Sequence, residues 1–178
     1  MNIRTFFFIL KSKLKYGAAY RAKVALAEPG SKIHLICGGN CSSEENLRLR
    51  AGTNLVAIGG TISIGNNVFF NRNCNLVCRK KITIGHNVSI GHNVCIIDHD
   101  HKMNASGISS SEYKTDEIII EDGCWIGANV VILRGTHIGA HSVIGAGCVV
   151  KGSIPPHSLV KSDRTLTIKP LKNKQLEE

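Results

Sequence analysis

Residues 98–101 read Asp98-His99-Asp100-His101, two imidazoles alternating with two carboxylates. Histidine is the side chain whose ordinary pKa lets it take up and release a proton near neutrality, and a neighbouring carboxylate can fix which ring nitrogen carries the hydrogen. Such a cluster suits general acid–base work on a poor nucleophile such as a hydroxyl. Metal binding is the other chemistry these residue types allow. Zinc, however, needs three or four converging ligands. His86 and His92 occupy equivalent repeat positions with no third histidine at an obvious spacing, and Cys37 and Cys41 lack a second pair, so no metal is expected.

The elements that must hold this cluster announce themselves by a period. From Ile120 onward an aliphatic β-branched residue stands at every sixth position: Ile120, Ile126, Ile132, Ile138, Ile144, Val150. Six is a multiple of the strand period of two, so these side chains can share one direction if the chain turns a corner between short extended segments. A second column, Cys124, Val130, Thr136, Ser142 and Cys148, is small or β-branched, as a tight corner requires. Gly127, Gly139 and Gly145 follow the first column directly. Upstream the count continues through Ile58, Ile64, Phe70, Leu76 and Ile82, then shifts by two to Ile84, Ile90 and Ile96. Hexapeptide periodicity predicts a parallel β-helix of stacked triangular coils, about four to five of them.

The period fails between Ile97 and Ile118, in a polar stretch that cannot lie in the wall. A protruding loop over 98–117 is expected, carrying the histidines. The division expected is an N-terminal segment over 1–30, a β-helix domain over 31–160 and a tail over 161–178. The chain has 178 residues and a formal charge of +9. Residues 1–27 hold Arg4, Lys11, Lys13, Lys15, Arg21 and Lys23 and no acid, with the apolar run Phe6-Phe7-Phe8-Ile9-Leu10. That run is too short to span a bilayer, and it predicts a short basic amphipathic helix that caps the first coil and could also lie on an anionic membrane. The basic residues form no cluster with interleaved aromatics, so no nucleic-acid partner is expected. Seven cysteines without a defensible secretory signal are read as mostly structural thiols in a reducing, cytoplasmic setting, with peripheral contact at the inner membrane face as an option.

Three phrases carry a family resemblance: Asp98 to His101, Gly123-Cys124-Trp125-Ile126-Gly127-Ala128-Asn129-Val130-Val131-Ile132, and Val143-Ile144-Gly145-Ala146-Gly147-Cys148-Val149-Val150-Lys151. Over about residues 55–160 the chain resembles hexapeptide-repeat acyltransferases with a left-handed parallel β-helix. It is most similar to sugar O-acetyltransferases of the maltose and galactoside type, and by pattern to those that decorate bacterial capsule, O-antigen and exopolysaccharide sugars. The resemblance implies acetyl-CoA as co-substrate and direct transfer to a sugar hydroxyl, with amino-sugar N-acetylation as the alternative. It implies His101 as the base, 24 residues before Trp125, with His99 as the second candidate and Trp125 beside the site. Asp98 or Asp100 would orient the base or face the acceptor, and Asn73 would face the acceptor, with Asn71 and Asn75 equally available for that place. Ala128 and Ala146 would line the coenzyme, and Lys151 would meet its phosphates. After Ile154-Pro155-Pro156 the chain departs from the family, and Lys161 and Arg164 are the candidates to hold the adenine end. A homotrimer with active sites between subunits is implied. A zinc enzyme of the γ-carbonic anhydrase type and a non-catalytic binding module are the rival classes.

Overall fold

The structure is a computed structural model that describes residues 2–105 and 107–162. It is a parallel β-helix of three faces, with seven, seven and six strands. The first face runs from Tyr20–Arg21 to Ser153–Ile154, the second from Val24–Ala27 to Leu159–Val160, and the third from Lys32–Ile36 to Val149–Val150. Both histidine-bearing residues of the cluster, His99 and His101, lie outside these sheets.

Ile120, Ile126, Ile132, Ile138, Ile144 and Val150 all point inward and are buried, so the six-residue period is the inner wall of the prism. Burial of one branched side chain per face per coil, stacked on the same residue type above and below, supplies the stability a single coil cannot have. At the corners the second column is buried too, and its polar members donate inward. Thr136 Oγ1 donates to the Leu133 carbonyl (2.6 Å) and Ser142 Oγ to that of Pro155 (3.0 Å). Only small side chains fit there. The glycines after the column are needed because successive coils touch: a Cβ on Gly127 would lie 2.7 Å from the Ala146 amide nitrogen, and one on Gly139 would lie 2.4 Å from that of Pro156.

Asparagine supplies much of the corner geometry. Asn67, Asn73, Asn87, Asn93 and Asn129 all have φ between 55° and 60°, a region asparagine tolerates better than most residues. Their amides form ladders from coil to coil, Asn46 to Asn67 (2.8 Å), Asn67 to Asn87 (3.1 Å) and Asn93 to Asn129 (3.2 Å).

Two expectations need correction. The prism has about six turns, not four to five, because the wall starts at Tyr20, well before residue 31. The early coils are longer than three hexads, with Ile33 above Leu55 and Ile62 above Ile82, which hides them from a six-residue count. The same extra residues explain the two-residue shift at Ile82 and Ile84, which both face inward from one strand. Ile58 is only half-buried; Leu55 and Ala57 take the inward positions of its strand.

The helix α1, Ile3–Tyr16, is capped by the Asn2 side chain, which accepts from the Thr5 amide (2.8 Å). Thr5 is fully buried, and its hydroxyl accepts from the Ala27 amide (3.1 Å), tying the helix to the first coil. Phe8, Ile9 and Tyr16 pack on the core from the same side.

Candidate active site

The expected loop is a two-stranded antiparallel hairpin, His99–Asn104 paired with Gly107–Thr115, extruded at the corner between the third and first faces. Asp98 is its anchor. Its carboxylate accepts from the amides of Arg79 (2.8 Å), Lys80 (2.7 Å) and Lys81 (3.0 Å), and from the Cys78 thiol (3.3 Å). Burial, and then the adjacent Asp98 charge, push the Cys78 thiol above its ordinary range, so it stays a donor. Asp98 is fully buried, which corrects its reading as an acceptor-binding residue: a carboxylate with no exposed surface cannot touch a sugar. It organises the corner from which the hairpin leaves. Outside the wall the base is clamped by the ion pairs Lys80–Asp116 (3.2 Å) and Lys81–Glu117 (3.7 Å).

The two histidines stand in different settings. The His101 ring is exposed, and its Nδ1 lies 2.8 Å from the Ser109 carbonyl oxygen across the hairpin. A carbonyl oxygen can only accept, so Nδ1 carries the hydrogen and the lone pair is on Nε2. His99 is nearly covered, with Nδ1 3.1 Å from Asp98 Oδ1. The carboxylate expected to orient His101 therefore serves His99, and a backbone carbonyl orients His101. Asp100 does neither, being ion-paired with Arg134.

Tyr113 and Arg79 complete the cluster, and no sequence motif pointed to them. Tyr113 pairs with His101 in the hairpin register, and its ring lies 4.7 Å from that of His101 and 5.5 Å from that of His99. The Arg79 guanidinium sits 3.5 Å from the Tyr113 ring centroid. A pairing of alternate residues across the polar stretch was the available signal for Tyr113; Arg79 arrives only by coil stacking.

The remaining sequence-derived residues fall elsewhere. Asn73, Ala128, Ala146 and Lys161 all follow the second face at its corner with the third, the last three on successive coils and Asn73 two coils before Ala128. Lys151 lies past the last strand of the third face, toward the corner of the hairpin. Trp125 is 59% exposed and points out of the second face, between Ser89 and Val143. That face is opposite the corner bearing the hairpin, so the core separates Trp125 from His101 within one chain. Arg164 lies outside the described residues. His86 and His92 stand on different corners and enter corner hydrogen bonds, His86 Nδ1 accepting from the Asn66 amide (3.0 Å) and His92 Nε2 meeting Asn71 Nδ2 (3.1 Å). Among the described residues no three His, Cys, Asp or Glu side chains converge as a metal site.

Residues 117–152 match the family described as "Bacterial transferase hexapeptide (six repeats)". A "Putative lipopolysaccharide biosynthesis O-acetyl transferase" of Escherichia coli is 33% identical over 132 residues, 68% of this chain and 67% of that protein. A crystal structure of a hexapeptide-repeat acetyltransferase from Vibrio cholerae is 32% identical, covering 82% of this chain and 76% of that one, with a TM-score of 0.56. The chain belongs to the hexapeptide-repeat acetyltransferases. The Vibrio cholerae acetyltransferase is also known in complex with acetyl coenzyme A, at 33% identity over 74% of this chain and 65% of that one, TM-score 0.58. AntD, an N-acyltransferase from Bacillus cereus, shares the fold at 20% identity, with a TM-score of 0.70 over 94% of this chain and 92% of that one. The chain spans 56–58% of the length of the "Putative acetyltransferase" proteins of Schizosaccharomyces pombe and Staphylococcus aureus that it matches.

Proposed function

We propose that the protein transfers the acetyl group of acetyl-CoA to a hydroxyl of a sugar in a bacterial surface polysaccharide or its precursor, with His101 as general base. The observation that carries this reading is the tautomer of His101. With Nδ1–H held by the Ser109 carbonyl, Nε2 is the proton acceptor, on an exposed ring at the foot of the hairpin. A sugar hydroxyl is a poor nucleophile at neutral pH, so it must lose its proton as its oxygen attacks. The oxygen attacks the thioester carbonyl carbon of acetyl-CoA. The C–S bond breaks as the tetrahedral intermediate collapses, and the coenzyme A thiolate leaves and takes the proton from Nε2, which restores the neutral imidazole. The imidazolium that forms stays hydrogen-bonded through Nδ1, and its ring stays packed on Tyr113.

The corner between the second and third faces fits an extended pantetheine arm. Ala128 and Ala146 are stacked one coil apart there, with backbones too close for a Cβ on Gly127, so the edge is low and lined by peptide groups. Lys161 continues this line, and its charge suits a phosphate, as does that of Lys151. Because Trp125 and His101 lie across the core from each other, a site using both needs two protomers. Exposed Trp125, Leu159 and Val149 on the flat faces favour the same conclusion, a homotrimer with its sites between subunits. Sugar O-acetylation over N-acetylation is favoured by the name of the Escherichia coli relative.

His101→Ala is expected to lower kcat by about 10²–10⁴-fold, the usual contribution of a general base, with acetyl-CoA binding unchanged. Turnover near the wild-type rate would transfer the role to His99 or remove the mechanism. The acceptor class is read by acetyl-CoA turnover against nucleotide sugars, free oligosaccharides and polysaccharides; turnover confined to an amino sugar, with acetate on nitrogen, would replace the O-acetyl reading.

A further inference from the structure

α1 carries two apolar faces, and capping uses only one. Thr5, Phe8, Ile9, Ser12 and Tyr16 turn toward the first coil. On the other side Ile3 (72%), Phe7 (59%) and Leu14 (79%) are exposed, with Phe6 and Leu10 beside them. A helix that only sealed the prism would present one apolar stripe and a polar back. Here the back is apolar as well, and it is bordered by cations: Arg4, Lys11, Lys13 and Lys15, with no acidic residue anywhere in residues 1–27. Lys11 and Lys15 also line a cleft of about 230 Å³ between α1 and the strand Lys32–Ile36, together with Lys32 and His34. Among the described residues no helix is long and apolar enough to cross a membrane.

We infer that α1 lies on an anionic lipid surface, with Phe7, Leu10 and Leu14 in the boundary between headgroups and acyl chains and with Lys11, Lys15 and Lys32 on the lipid phosphates. The charge pattern selects this occupant. Laying α1 of a second copy on the stripe would set two rows of lysines against each other, whereas anionic headgroups neutralise them while the same contact buries the phenylalanines. The position of α1 at the end of the prism leaves the hairpin, several coils away, clear of the contact.

The full chain is tested by co-sedimentation with vesicles of phosphatidylcholine alone and of phosphatidylcholine with phosphatidylglycerol. Binding is expected only to the second, and it should largely vanish in about 1 M salt, where the Debye length is about 3 Å. Each lysine near such a surface contributes on the order of fivefold to partitioning, so Lys11→Gln with Lys15→Gln should lose about 25-fold. Phe7→Ser with Leu14→Ser, which leaves the capping face intact, should lose about tenfold or more while keeping the wild-type melting temperature. Failure of the wild-type chain to bind the anionic vesicles, or unchanged binding in both double variants, overturns the proposal. So does a lower mass by light scattering for Phe7→Ser with Leu14→Ser than for the wild-type chain, which would mean that this face closes a contact between copies. None of these readouts depends on acetyl transfer.

Discussion

At the scale of single residues, Asp98 and His101 divide the labour that the sequence had bundled into one cluster. Asp98 spends its carboxylate on three backbone amides, a thiol and His99, all away from solvent. His101 keeps its ring in solvent with one nitrogen committed to a carbonyl. The two substitutions should therefore fail differently. Asp98→Ala strands buried amide donors, each worth about 1–3 kcal/mol when left unpaired, so a loss of about 3 kcal/mol is expected after partial relaxation. For a domain of this size that is a fall in Tm of about 6–12 °C, against no change in Tm for His101→Ala. Calorimetry of the two variants checks this, and equal melting temperatures would mean that Asp98 is not the anchor of the corner.

At the scale of elements, the hairpin is an insertion into an otherwise regular wall. Ile82 pairs directly with Ile118 and Ile119 with His137, so removing the hairpin restores a coil close to the later ones in length. A chain in which one glycine joins Asp98 to Asp116 is expected to fold, with a circular-dichroism spectrum still dominated by strand and a melting temperature within a few degrees of wild type. It should show no acetyl transfer. If transfer survived excision, the catalytic base would lie in the prism wall. The same contrast explains what could be read in advance. Ile120 to Val150 was legible because those coils repeat at three hexads, whereas the coils from Tyr20 to Ile58 carry extra residues at one corner and polar faces such as Asn40–Ser43. His99 and His101 were visible by composition alone. Ser109 and Tyr113 were not, because they become neighbours of His101 only through hairpin register, and Arg79 only because its coil lies next to the hairpin base.

At the scale of the molecule, the geometry of a triangular prism limits which residues can share a site. Every corner faces a flat side across the core. His101 leaves from one corner, and Trp125 stands on the side facing it, outward and 59% exposed. If both serve one reaction, each site takes His101 from one protomer and Trp125 from the next, and a mixed assembly can rebuild sites that neither pure variant has. The Trp125→Ala and His101→Ala variants are each expected to be strongly impaired. Co-expressed in equal amounts and assembled at random, they should regain about a quarter of wild-type activity, because about one site in four then draws both intact residues. Light scattering checks that the mixture assembles as the proposed trimer, and turnover on the preferred acceptor reads the gain. A mixture as inactive as its components would mean that Trp125 and His101 do not meet across an interface.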